Sequence, residues 1–164
     1  MNLHNANAID AINICNEERR KIDGIITKTG SLNPVVEYLS RYFLIKACGT
    51  IEICFKSIIA DYNLDYSPQI DRFISVTVKR SSKNPSYKNI CSVLKEFDEN
   101  WEKSFKNIMN NPSHKKLLES LGSLNNLRNQ FAHGASCAPS FKDTASFYED
   151  AIKVIEVLDE VVKK

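Results

Sequence analysis

Four of the five prolines in this 164-residue chain directly follow Asn or Ser: Asn33-Pro34, Ser67-Pro68, Asn84-Pro85 and Asn111-Pro112. An Asn or Ser side chain satisfies an orphan N–H of a first helical turn, and the fixed φ of proline suits the first helical position. Each pair therefore reads as a helix start. A fifth start is Ser140-Phe141-Lys142-Asp143, a capping-box spacing with Asp in place of the usual Glu. Only five glycines occur. That is too few for a β fold with many tight turns, and the long uninterrupted stretches favour helices.

The stretches between these starts carry helical period. Ala8, Ile12, Cys15, Ile22 and Ile26 share one face, with Glu17 to Lys21 as a solvated charge run. Leu44, Cys48, Ile51, Phe55 and Ile58 form a second face. Val93, Leu94, Phe97, Trp101, Phe105 and Ile108 form a third, within one segment from Ser86 to Met109. Phe147, Ala151, Val154, Leu158 and Val161 repeat as 4-3-4-3. Phe73 to Val78 is β-branched and fits either a strand or a helix; a lone strand has no evident partner, so helix is preferred. Residues 79–88, with Lys79, Arg80, Lys83, Tyr87 and Lys88, read as an exposed basic loop that either guides an RNA backbone or is simply solvated. The expectation is an all-α, up-and-down bundle of five to six helices in one domain over residues 1–164. It is expected to dimerise through surplus apolar faces on the 34–62 or the 140–164 helix.

A net charge of +2, from 22 basic and 20 acidic residues, is not the footprint of a protein that coats nucleic acid, though a local basic patch could still handle RNA. The five cysteines, Cys15, Cys48, Cys54, Cys91 and Cys137, contain no CxxC pair and read as structural thiols in a reducing compartment. No metal or other cofactor is implied. The N-terminus lacks the basic start and compact apolar core of a signal peptide, and no stretch reaches the roughly 18 apolar residues of a membrane span. A cytoplasmic location with no membrane partner is expected.

One stretch carries chemistry: Leu124-Asn125-Asn126-Leu127-Arg128-Asn129-Gln130-Phe131-Ala132-His133-Gly134. On a wheel of about 100° per residue, Leu117, Leu121, Leu124, Leu127 and Phe131 form a core stripe, and Asn125, Asn129 and His133 an adjacent polar one. Arg128 falls within the apolar arc. A guanidinium there must be paired or must open into a cleft, and Glu52, at the edge of the second helix's apolar face, is the candidate partner. Gly134 marks a helix stop, leaving His133 in the last turn, where the helix dipole favours its cation. His can move protons and Arg can hold phosphate through two parallel bonds. One chain supplies a single His here; two copies across a symmetric dimer would supply two His and two Arg.

Arg128-Asn129-Gln130-Phe131-Ala132-His133 resembles the R-x4–6-H signature of the HEPN superfamily, including the polar residue after the Arg. The wider Leu127 to Gly134 is similar to the RN-x-x-AHG form of its RiboL-PSP-like and related bacterial branches, as is the preceding Gly49-Thr50-Ile51-Glu52-Ile53-Cys54-Phe55-Lys56 helix. The resemblance implies a homodimer with a composite cleft and metal-independent endoribonuclease activity on tRNA or mRNA. It also implies a toxin–antitoxin, phage-defence or stress setting, with an antitoxin or other protein as partner. Toxins of another branch carry a Tyr two or three residues beyond the His. Here Ala135 and Ser136 stand there, which argues against AMP modification by an antitoxin of that kind.

On this reading Arg128 and His133 are catalytic, Asn129 and Glu52 supporting, and Lys79, Arg80 and Lys83 contact substrate. The runner-up is a non-catalytic HEPN module that dimerises and binds RNA or protein. A third possibility is a regulatory, antitoxin-like subunit. His114 reads as a surface residue and His4 as part of a frayed terminus.

Overall fold

The computed structural model describes residues 2–64, 67–134 and 139–163. Cys137, Ala135 and Ser136 lie outside them. The fold is all-α, with α1 (Ala6–Thr29), α2 (Val35–Tyr62), α3 (Pro68–Ile74), α4 (Tyr87–Phe97), α5 (Glu99–Met109), α6 (Lys115–Ala132) and α7 (Phe141–Lys163). A π-helical turn (Ser75–Lys79) continues α3, and a 3-10 turn (Pro112–His114) leads into α6. The ambiguous Phe73 to Val78 stretch is thus helical.

Among the described residues there are seven α-helices rather than five or six, because the Ser86–Met109 segment is two. Asp98 adopts extended backbone (φ −154°, ψ 119°), its N–H closes α4 on Leu94 O, and its Oδ1 accepts from Asn100 N to open α5. The proline pairs act as starts with one displacement. Asn33, Ser67 and Asn111 each accept a first-turn N–H, and Ser140 accepts from Asp143 N at 3.0 Å. At Asn84-Pro85 the cap is instead Ser86, two residues on, because Asn84 Oδ1 is occupied by Ser86 N and Asn89 Nδ2.

Helix α2 is central, packed along α1 and α7 and crossed by α6. The apolar faces read from the sequence meet there: Ile12 and Cys15 of α1, Leu44, Ile51 and Phe55 of α2, Leu121 and Leu124 of α6, and Val154 and Leu158 of α7 are all buried. Phe43 fills the centre, 5.1 Å from the Phe141 ring and 5.9 Å from Tyr148. Buried carboxylates join the helices. Asp150 of α7 accepts from Ser120 of α6 at 2.9 Å and from Lys153 at 2.9 Å. Burial opposes its ionisation, but the Lys153 and Ser120 bonds hold its carboxyl below the usual range. The terminus is not frayed: Asn2 N donates to Glu156 at 2.7 Å, and His4 N donates to the buried Asp159. Cys15, Cys48, Cys54 and Cys91 are free and buried. Among the described residues no helix is long and apolar enough to cross a membrane.

Candidate active site

Helix α6 presents Arg128 to α2. The crossing is held by Cys48, whose thiol donates to Leu124 O at 3.4 Å, and by Arg41, whose guanidinium lies 5.9 Å from the Phe131 ring centroid. Burial pushes the Cys48 thiol up to about 12, so it is a packed, protonated hydrophobe rather than a nucleophile.

Arg128 is about one-third exposed. Its Nη1 donates to Asn129 Oδ1 at 3.1 Å and its Nη2 lies 3.5 Å from Glu52 Oε2. A charge-assisted bond is usually about 2.8 Å, so the carboxylate steers this guanidinium without closing on it. The other Glu52 oxygen is taken by Lys56 Nζ at 2.6 Å, and Lys56 Nζ also donates to the Ser81 carbonyl. A cleft of about 400 Å³ lined by Gly49, Glu52, Ile53, Lys56, Ser57 and Lys79 opens beside this cluster.

His133 ends α6. Its N–H donates to Asn129 O at 3.0 Å, and Gly134 follows with φ 77°, donating to Phe131 O at 3.1 Å. Only glycine adopts that left-handed turn at little cost. The imidazole is exposed and makes no hydrogen bond with the described residues.

The structure brings Arg128, Asn129 and Glu52 together, with exposed His133 one turn further along α6. It does not add Asn125. That side chain turns inward, is buried, and donates to Leu121 O at 3.0 Å and Pro85 O at 3.4 Å. The 79–88 stretch is not one exposed loop, since Lys79 ends the π-helical turn and Tyr87 and Lys88 open α4, and its charge is partly neutralised: Lys79 pairs with Asp61 at 2.8 Å and Lys83 with Glu96 at 2.8 Å, while Arg80 is exposed. Tyr87 packs against Phe105 at 6.0 Å rather than presenting its ring to solvent. His114 points Nδ1 at Ile108 O, 2.8 Å away, as a local cap.

Lys56 was not foreseen, although Glu52 and Lys56 at i and i+4 form a recognised helical pair. Arg41 was not foreseen either. No local pattern links it to Phe131, ninety residues on.

A family model described as RiboL-PSP-HEPN matches residues 10–164. No curated protein and no solved structure matches the chain.

Proposed function

Because the chain belongs to the RiboL-PSP-HEPN family, we propose that it is a metal-independent endoribonuclease of the HEPN type, a cytoplasmic toxin or defence effector. The observation that carries this reading is the loosely held Arg128, 3.5 Å from Glu52, on the helix that ends in exposed His133. A guanidinium held to one side keeps N–H donors for phosphate, and an imidazole with no hydrogen bond to the described residues is open to a substrate.

In this chemistry a base removes the 2′-OH proton and the 2′-oxygen attacks phosphorus. The 5′-oxygen leaves with a proton from an acid, and the products are a 2′,3′-cyclic phosphate and a 5′-OH. Arg128 stabilises charge on the phosphorane, and Asn129 orients Arg128. A second copy supplies the second His, so one imidazole acts as base and the other as acid.

Supporting this composite arrangement, Tyr38, Tyr42, Ile45 and Ile53 are exposed along one face of α2 that runs to the Glu52 edge. Helix α7 has no large exposed hydrophobic among the described residues. Of the two surplus faces anticipated, the exposed α2 face is the one we assign to the seam with a symmetry mate.

A non-catalytic module would use Arg128 as a structural tie to Glu52, and a tie of that kind favours a closer, two-bond pair than 3.5 Å. The test is incubation of the purified chain with tRNA and mRNA in EDTA. Discrete fragments with cyclic phosphate ends are expected, and intact RNA would favour the module.

A further inference from the structure

Lys56 is unusual for a lysine: it is only 7% exposed. A buried ammonium is costly unless paired and hydrogen-bonded. Its ammonium has two partners, one on its own helix and one beyond it. One is Glu52 Oε1, at 2.6 Å, and the other is the Ser81 carbonyl in the basic loop. The remaining Glu52 oxygen faces Arg128.

The loop end of this connection is itself fixed. Ser81 Oγ donates to Val78 O at 2.8 Å, and Arg80 N donates to Ser75 O at 3.0 Å. Both bonds close on the π-helical turn, a rare geometry that often marks functional positions. Lys79 anchors the same turn to α2 through Asp61. A chain of contacts therefore runs from the Ser81 carbonyl through Lys56 and Glu52 to Arg128. Arg80, exposed and next to Ser81, stands at its outer end.

We propose that Lys56 is a positioning residue: it holds Glu52 off Arg128 and couples the Arg80–Ser86 loop to the site, a role that rests on the ribonuclease reading. Without Lys56, both Glu52 oxygens are free to close on the Arg128 guanidinium. The carboxylate then competes with the RNA phosphate for the same donors. A shift of the loop that moves the Ser81 carbonyl acts in the same direction, so RNA contact at Arg80 is felt at Arg128.

The experiment compares wild type, Lys56→Met and Lys56→Arg, each checked for native helicity. It reads the Arg128 Nε–H resonance, amide exchange at Arg80–Lys83, and kcat and KM for tRNA cleavage. In Lys56→Met the Arg128 resonance shifts and loop exchange quickens about tenfold; kcat falls about tenfold while KM stays within about twofold. Lys56→Arg, which keeps a charged donor, restores most of each. Lys56→Gln carries the same readouts if Lys56→Met does not fold. An unmoved Arg128 resonance with unchanged loop exchange overturns the proposal, as does an unchanged kcat or a rise confined to KM. A wild type that cleaves no RNA overturns the ribonuclease reading instead, and the resonance and exchange data still decide the coupling.

Discussion

Arg128 shows how far a single residue's surroundings can be anticipated. Its place in an apolar arc, with Glu52 at the edge of the facing stripe, follows from helical period alone, and the 3.5 Å approach lies between those two residues. The looseness of that approach was not legible. It depends on Lys56 occupying the other carboxylate oxygen, and on a backbone carbonyl 25 residues further along fixing Lys56. Glu52→Gln removes the charge that both cations share and leaves nearly buried Lys56 without a counter-ion. We expect a stability loss of about 1–3 kcal/mol, less than for a fully buried pair because Glu52 and Arg128 are partly solvated. Urea denaturation measures it; a variant as stable as wild type would show that the cluster contributes no net stability.

At the scale of elements, helix starts were read well because capping is local chemistry. Ser140 and Asp143 needed no knowledge of the fold to be recognised. The α4–α5 break was missed because the apolar period runs on through Phe97, Trp101 and Phe105, and Asp98 interrupts the backbone without disturbing that rhythm. Asn125 is the converse case, on the polar stripe yet buried. Its wheel position is polar, but the loop ending at Pro85 passes over it and supplies a carbonyl partner. The glycines separate two effects. Gly24 lies within α1 with nothing within 4 Å of an added Cβ, so Gly24→Ala should stabilise by about 1 kcal/mol. Gly134 has equal space but φ 77°, so Gly134→Ala should destabilise by about 1 kcal/mol and disturb the end of α6. Thermal denaturation of the two variants, moving in opposite directions, checks both.

For the whole molecule, the all-α class followed from few glycines, well-placed prolines and clean periodicity. Which apolar face stays uncovered did not, since α2 and α7 look equally apolar until α1 and α6 are docked against them. The exposed α2 face is the proposed seam, and Ile45, 42% exposed, lies near its middle. Ile45→Asp should fold as wild type yet sediment as a monomer and lose RNA cleavage; a monomeric wild type would remove the composite site. The central claim is that RNA is cleaved without a metal, with His133 transferring protons and Arg128 stabilising the phosphorane. Its most direct test is tRNA cleavage in EDTA by wild type beside His133→Ala, a change at an exposed side chain. Cyclic-phosphate fragments from wild type, and none from a fully folded His133→Ala, are the predicted result. Equal cleavage by both, or by neither, would contradict it.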